Sequence, residues 1–173
     1  MLSWLNQQLE RHQDPVPPAF AALLDLPSDV RDAAHYLPGH LTASGFVVSP
    51  NHDALLLIHH AKLGRWLQPG GHIEAEDETL EAAARREIVE ETGLENFTSL
   101  GFFDLDIHEI PARKEQPTHQ HFDVRFAFQA ETDEVRALDG VLAVAWVRFE
   151  DLSTVGTDDS VMRPVSKLLE QKG

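Results

Sequence analysis

A run of acidic residues in the middle of the chain has the spacing of a helix that turns some of its carboxylates toward its apolar side. At about 100° per residue, the small and aliphatic residues of this run form one stripe, made of Leu80, Ala83, Ala84 and Ile88. Glu87 and Glu91 fall within that stripe, and Glu90 lies at its edge. Because a buried carboxylate without a partner is costly, this spacing requires cations, and Mg²⁺ or Mn²⁺ suits carboxylates that also bind phosphate.

The alternative interpretation is a solvated acidic helix that is stabilised by ion pairs four residues apart. Arg85 and Arg86 offer partners for Glu81 and Glu90 on such a surface. A solvated helix places its charges opposite the apolar stripe, as Glu81 does. Glu87 does not follow this rule, so the spacing favours a metal site.

With its flanking glycines, the run resembles the Nudix box, whose pattern is G-x5-E-x7-R-E-U-x-E-E-x-G-U with U a bulky aliphatic residue. The second half of the pattern is matched position for position by Arg86, Glu87, Ile88, Glu90, Glu91, Gly93 and Leu94. Gly71 and Glu78 match the opening glycine and the first glutamate, with six residues between them where the pattern has five. The extra residue lies in the loop before the helix, so the helical register is kept.

The resemblance implies a hydrolase that cleaves the pyrophosphate linkage of a nucleoside diphosphate joined to another moiety. ADP-ribose, a nucleotide sugar, a dinucleoside polyphosphate and a nucleoside triphosphate all belong to this substrate class. It also implies that Glu87, Glu90 and Glu91 hold Mg²⁺ or Mn²⁺. A catalytically silent nucleotide-binding module is the alternative, but such a module would typically have lost these glutamates.

The other residues of the box have structural roles in this interpretation. The glycine pair at 70–71 permits a tight turn with close backbone approach, and Asp77 or Thr79 can cap the helix. Gly93 fits a left-handed stop at the end of the helix. We expect Arg86 to hold the loop by pairing with Glu78 rather than to touch the substrate.

Two later segments carry a second group of polar side chains that alternate with apolar residues. The polar residues are Asp104, Asp106 and His108 in the first segment, and His119, His121, Asp123 and Arg125 in the second. Alternation puts each set on one face of a strand, and a long hairpin would bring His108 near His119 and His121. These side chains can hold a transition metal, donate hydrogen bonds to phosphate or ribose, or form a solvated strand face. We predict substrate binding by His108, His119, His121 and Asp123, in a pattern that resembles one of some bacterial Nudix proteins.

The loop between the two segments offers further candidates. Arg113 is predicted to bind a substrate phosphate, with a solvated loop as the alternative. The general base is left open between Glu109 and Glu115 of this loop and Glu90 or Glu91 of the box.

These residues require a sheet and flanking helices to position them. The pattern predicts strands near 41–48, 54–59, 99–108, 120–130 and 142–149, a box helix near 79–92 and a closing helix near 158–171. Residues 40–173 are predicted to be the Nudix hydrolase domain, for which the resemblance implies an α/β/α sandwich with a mixed β-sheet. Residues 1–39 are predicted to be a helical N-terminal extension, whose third helix is capped by Ser28 and runs to Tyr36. We expect the extension to pack on the core; a role in a homodimer or in covering the substrate is the alternative.

Composition limits the partners of the protein. The 173 residues carry a formal charge of −15, which argues against a surface that binds nucleic acid or an anionic membrane. An anionic small-molecule substrate stays compatible with this charge, because metal ions supply positive charge. The absence of cysteine excludes disulfides and thiol chemistry. The first residues are neither basic enough nor apolar enough for a signal peptide, so a cytoplasmic location is expected.

Overall fold

The elements of the computed structural model, which describes residues 1–12, 14–138 and 140–170, form an α/β fold. The helices are α1 (Leu2–Arg11), α2 (Pro18–Leu24), α3 (Leu80–Thr92) and α4 (Asp159–Glu170), with a 3₁₀ helix at Phe149–Thr154. The strands are β1 (Gly39–Val48), β2 (Ala54–His60), β3 (Arg65–Leu67), β4 (Gly70–His72), β5 (Phe97–Ile110), β6 (His119–Ala130) and β7 (Val141–Arg148). Among the described helices, none has the length and apolar character that a membrane crossing requires.

All seven strands join one mixed sheet in which β1 is central. The strand order is β3-β2-β1-β6-β5, while β4 pairs with β1 and β7 pairs with β2. The antiparallel hairpin of β5 and β6 sets His108 opposite His121 and confirms the sequence prediction. The strands β1 and β6 are parallel, with His40 opposite His121 and Thr42 opposite Asp123.

Alternation along β1 separates the two faces of the sheet. Leu41 and Ala43 belong to an apolar core that also contains residues of α1, α2 and α3. Phe46 and Val48 belong to a second core with residues of α4. Toward the start of β1, this second face becomes polar, with His40, Thr42 and Ser44. The sheet therefore lies between helical layers, as the predicted α/β/α sandwich requires.

The five predicted strands are present as β1, β2, β5, β6 and β7, with ends that differ from the prediction by one or two residues. The short strands β3 and β4 are additional. Three residues are too few to show a period, and tertiary pairing alone defines these strands. The closing helix is confirmed as α4, while its predicted last residue, Gln171, lies outside the described residues.

The first two helices of the N-terminal extension pack against the sheet. Leu5 of α1 and both Phe20 and Leu23 of α2 are fully buried in the same core as α3. The amphipathic spacing of these residues provides the buried face of each helix. This agrees with an extension that packs on the core.

The prediction of a third helix from Ser28 to Tyr36 is wrong, because this segment forms turns. The carboxylate of Asp29 accepts a hydrogen bond from the backbone N–H of Arg31, at 3.1 Å. Asp32 accepts from the backbone N–H two residues later in the same way, at 2.8 Å. Such local bonds compete with helical hydrogen bonds. The hydroxyl of Ser28 bonds to the ring of His35 and does not cap a helix.

Candidate active site

Residues at both ends of α3 define where this helix begins and ends. The hydroxyl of Thr79 accepts a hydrogen bond from the backbone N–H of Ala82, at 3.0 Å. Gly93 ends the helix with φ of 64°, and its N–H donates to the carbonyl of Val89. The apolar stripe is fully buried, as predicted, at Leu80, Ala83, Ala84 and Ile88. The cap by Thr79 and the left-handed stop at Gly93 are therefore confirmed.

Two carboxylates of α3 lie against the glycine pair that forms β4. The carboxylate of Glu91 accepts a hydrogen bond from the backbone N–H of Gly70, at 3.0 Å. A Cβ atom at Gly71 would lie 2.5 Å from Oε1 of Glu87. Only a residue without a side chain leaves room for that carboxylate in its present position. The glycine pair and the two glutamates thus form one unit, although they lie far apart along the chain.

Arg86 connects this unit to the loop before the helix. Its guanidinium donates to Asp77 at 2.9 Å and to the carbonyl of His72 at 2.8 Å. It also donates to Glu87 and Glu90, both at 3.0 Å. Arg86 therefore holds the loop against the helix, as expected, and reaches two of the predicted metal ligands.

The prediction that Arg86 pairs with Glu78 in the loop is wrong. Asp77 pairs with Arg86 instead. The backbone N–H of Glu74 donates a hydrogen bond to the carboxylate of Asp77, and this local turn directs the carboxylate toward Arg86. Asp77 keeps only 6% of its side chain exposed, whereas Glu78 is exposed. The loop has one residue more than the pattern, and the acid that pairs with Arg86 lies one position earlier than the pattern implies.

Electrostatics distinguish Glu91 from its neighbours. Burial raises the pKa of Glu91 to about 8, and the nearby charges of Glu87 and Glu90 add to this effect. Burial also raises the pKa of Glu87, although Arg86 offsets part of the effect. Within the described part of the chain, no lysine or arginine forms an ion pair with Glu91.

These carboxylates fit a hard divalent cation. Glu87 and Glu91 are half-buried, and Glu90 beside them has 52% of its side chain exposed. A cation bound by Glu87 and Glu91 would lower their raised pKa values and offset the buried charge of Glu91, which has no cationic partner among the described residues. Oxygen ligands of this kind suit Mg²⁺ and Mn²⁺ better than softer metals.

The loop candidates lie away from this unit. Glu109 is exposed on β5, and alternation places it on the sheet face opposite His108. Glu115 is exposed at the loop tip, where Arg113 and Gln116 close a tight turn by backbone hydrogen bonds. The side chain of Arg113 donates to the carbonyl of Lys62 at 3.0 Å, so the loop reaches the turn between β2 and β3. Among the described contacts, none links these three candidates to the carboxylates of α3.

Histidines cluster on the other face of the sheet, beyond β4. The predicted neighbours His108 and His121 have ring centroids 5.3 Å apart, and His119 lies 5.3 Å from His121. The predicted proximity of His108, His119 and His121 in the hairpin is therefore confirmed. Two further members were not predicted from the sequence: the ring of His40 lies 4.7 Å from that of His121, and the ring of His72 lies 5.3 Å from it.

The two missed histidines join the cluster through strand pairing. His40 belongs to the polar alternation of β1, and its parallel pairing with β6 sets it opposite His121. His72 directly follows the glycine pair in β4. Burial lowers the pKa of His40 to about 4 and that of His121 to about 2. Both rings are therefore neutral at physiological pH.

Asp123 lies beneath this cluster and is not exposed to a ligand. It is 2% exposed, and its carboxylate accepts hydrogen bonds from Thr42 at 3.1 Å and from Ser44 at 2.6 Å. Arg125 donates to the same carboxylate at 2.9 Å. Its predicted direct contact with substrate is therefore not supported, because its oxygens are already bonded inside the fold.

Arg125 is the centre of a buried ionic network that the sequence did not reveal. Its side chain has no exposed surface and pairs with Asp104 at 3.3 Å and with Asp106 at 3.0 Å, besides Asp123. Arg163 of α4 donates two hydrogen bonds to Asp104, both at 2.8 Å. The network connects β5 and β6 to α4. Period-two alternation indicated a polar face, but only the packing of α4 makes that face buried.

Comparison with known proteins shows which family the chain belongs to. A family model described as the NUDIX domain matches residues 39–169. A probable DHNTP pyrophosphohydrolase of Lactococcus lactis subsp. cremoris is 33% identical over 96 residues. That match covers 54% of this chain and 56% of the relative, so it spans little more than half of the relative's length.

Solved structures agree with this assignment. A NUDIX-family hydrolase of Clostridium perfringens is 27% identical, with a TM-score of 0.60, over 78% of this chain and 98% of that one. The E. coli dihydroneopterin triphosphate pyrophosphohydrolase shares the fold at 17% identity, with a TM-score of 0.60, over 73% of this chain and 92% of that one. Since the family model covers most of the sequence, the chain belongs to the NUDIX family.

Proposed function

We propose that this chain is a divalent-cation-dependent hydrolase that cleaves the pyrophosphate linkage of a nucleoside diphosphate joined to another moiety. The observation that carries the proposal is the pair of half-buried carboxylates, Glu87 and Glu91, that α3 holds against the glycine pair of β4. Mg²⁺ or Mn²⁺ held by Glu87, Glu90 and Glu91 would neutralise the pyrophosphate and lower the pKa of a bound water.

The side chains around the site have separate tasks in this proposal. The N–H of Gly70 orients Glu91, and Arg86 orients Glu87 and Glu90. Glu90 is the most exposed of the three glutamates and can reach an attacking water, so we assign it as the general base. Glu91, Glu109 and Glu115 are the alternatives, and the pH–rate profile of each glutamine variant discriminates between them.

Names of similar proteins suggest where to look for the substrate. The Lactococcus relative and the E. coli structure are both named for action on a pterin triphosphate. A triphosphate is therefore the first substrate class to test, followed by ADP-ribose, nucleotide sugars and dinucleoside polyphosphates.

A substrate panel tests the proposal. The purified chain is incubated with each compound and with Mg²⁺, Mn²⁺ or a chelator, and the phosphate or pyrophosphate released is measured. Turnover of one class that requires the metal supports the hydrolase. If no compound is hydrolysed although Mn²⁺ binds, the chain is the catalytically silent nucleotide-binding module.

The histidine cluster is proposed to bind the part of the substrate beyond the pyrophosphate. His108, His119 and His121 can form hydrogen bonds to phosphate or ribose, and Arg113 offers a positive charge on the loop between β5 and β6. Asp123 holds β6 to β1 by accepting hydrogen bonds from Thr42 and Ser44.

Replacement of His121 by alanine is expected to lower kcat/KM for the identified substrate about 10- to 100-fold, because hydrogen bonds to charged groups contribute about 1.5–3 kcal/mol. The half-buried His59 of β2, whose ring contacts Trp66, provides the control His59→Ala. Steady-state kinetics of both variants measure the effect. An unchanged kcat/KM in His121→Ala would remove the cluster from substrate binding.

Replacement of Gly71 by alanine is expected to weaken Mn²⁺ binding about tenfold while the fold is kept. The new Cβ would lie 2.5 Å from Oε1 of Glu87, and this flexible carboxylate moves away more readily than the backbone. Gly64→Ala is the control: a Cβ at Gly64 meets no atom within 4 Å, and its φ of 63° costs alanine some stability but leaves the metal affinity unchanged. Calorimetric titration with Mn²⁺ gives the affinity, and equal affinities of the two variants would contradict the assignment of Glu87.

A further inference from the structure

Three histidines on the sheet face opposite α3 have the geometry of a metal site that is separate from the carboxylates of the box. One ring nitrogen from each of His40, His119 and His121 lies within 4.8 Å of the other two. His40 is 0% exposed, His119 is 5% exposed and His121 is half-buried. We infer that these three residues bind one divalent transition-metal cation of the zinc class.

Hydrogen bonds leave the required lone pairs free on two of the rings. Nδ1 of His119 lies 2.8 Å from the carbonyl oxygen of Pro117, and Nδ1 of His40 lies 3.3 Å from that of His35. A carbonyl oxygen only accepts, so Nδ1 carries the proton in both rings and Nε2 has a free lone pair. Histidines that bind metals typically donate their second ring N–H to a carbonyl or carboxylate in this way.

His40 provides an independent sign that a ligand is needed. Among the described residues, its Nε2 is buried and has no hydrogen-bond partner. Buried polar atoms are almost always bonded, and one that is not lowers stability. A cation bound to this nitrogen would remove that cost.

The chemistry of the donors selects the metal. Imidazole nitrogens suit Zn²⁺, Cu²⁺ and Ni²⁺, whereas Mg²⁺ prefers oxygen ligands. Zinc binds imidazole nitrogen at about 2.0–2.1 Å, which in a tetrahedral site brings the nitrogens to about 3.3 Å from one another. Three protein ligands leave a fourth position, which can take water or a substrate oxygen.

The strand β4 lies between this site and the box carboxylates. Gly71 faces Glu87, whereas the ring centroid of the next residue, His72, lies 5.1 Å from that of His40 and 5.3 Å from that of His121. Successive residues of one strand thus contact the two sites from opposite faces. Because the fourth coordination position can take a substrate oxygen, metal binding and substrate contact at the cluster are compatible.

Zinc titration of the full chain tests the inference. The protein is stripped with a chelator, returned to saturating Mg²⁺ so that the carboxylates of α3 are occupied, and titrated with Zn²⁺ by calorimetry. One equivalent is expected to bind, and His119→Gln and His121→Gln are expected to weaken this binding at least 100-fold. His59→Gln, which changes a histidine outside the cluster, is expected to bind as the wild type does.

Two further measurements separate this site from the box and from a failure to fold. Glu91→Gln is expected to keep the Zn²⁺ affinity of the wild type, and Co²⁺ is expected to give the visible absorption of a tetrahedral nitrogen site that disappears in His119→Gln. Thermal unfolding confirms that each variant is folded. Absence of one-equivalent binding in the wild type, equal affinity in the cluster variants, or loss of binding in Glu91→Gln would overturn the inference.

Discussion

Glu91→Gln is expected to abolish metal-dependent hydrolysis, with a loss in kcat of at least about 100-fold. Glutamine keeps the shape of the side chain and can still accept the hydrogen bond from Gly70, but it removes the charge that a divalent cation requires. The fold should be kept, because the substitution removes a buried carboxylate that has no cationic partner among the described residues. Steady-state rates measure the loss of hydrolysis, and titration of the same preparation with Mn²⁺ measures the loss of metal binding.

Glu81→Gln provides the matched control on the same helix. Glu81 pairs with Arg85 at 3.2 Å, and both side chains are about one-third exposed, so its charge belongs to the outer surface of α3. We expect it to keep wild-type rates and metal affinity. Full activity in Glu91→Gln would refute the assignment of Glu91 as a ligand, whatever the control does.

Arg125→Met is expected to lower the free energy of unfolding by about 3–5 kcal/mol, because it leaves the buried Asp123 without a cation and removes one of the cations that pair with Asp104 and Asp106. Methionine fills similar volume, but Asp104, Asp106 and Asp123 would face one another with a positive charge missing between them. This loss is a large part of the stability of an ordinary domain, which is about 5–15 kcal/mol. Urea unfolding monitored by circular dichroism measures the change.

Arg148→Met is the control for a surface arginine. Arg148 pairs with Asp53 and Glu150, but its side chain is 57% exposed, and solvent screens exposed ion pairs so that they contribute little to stability. A change for Arg125→Met as small as that for Arg148→Met would show that the network does not stabilise the fold.

Acid unfolding gives a second test of the same network. Burial alone would raise the pKa of Asp106, but the hydrogen bond from His108 and the charges of Arg125 and Arg163 outweigh it, so the pKa is lowered. A lowered pKa contributes stability above the unfolded value of about 3.9, and this contribution is lost as the pH falls through the folded value. Without Arg125 the pKa of Asp106 rises, so the midpoint of acid unfolding is expected to move to higher pH.

Local periodicity made much of the candidate site predictable. A helix has 3.6 residues per turn, so the spacing of Glu87 and Glu91 relative to Ile88 already defined the face on which they lie. The cap at Thr79 and the stop at Gly93 depend on neighbouring backbone groups and were also predictable. The same reasoning placed His108 beside His121, because a hairpin connects strands that are adjacent in sequence.

Contacts between distant segments were decided only by the tertiary structure. The parallel pairing of β1 with β6 brings His40 to the histidine cluster, and packing of α4 on the sheet buries Asp123 and Arg125. The exchange of Glu78 for Asp77 as the partner of Arg86 depends on the path of one loop. Sequence spacing determined the box helix and its chemistry, because a helix repeats locally. It could not determine the second site or the ionic network, because strand register and burial depend on residues far apart in the chain.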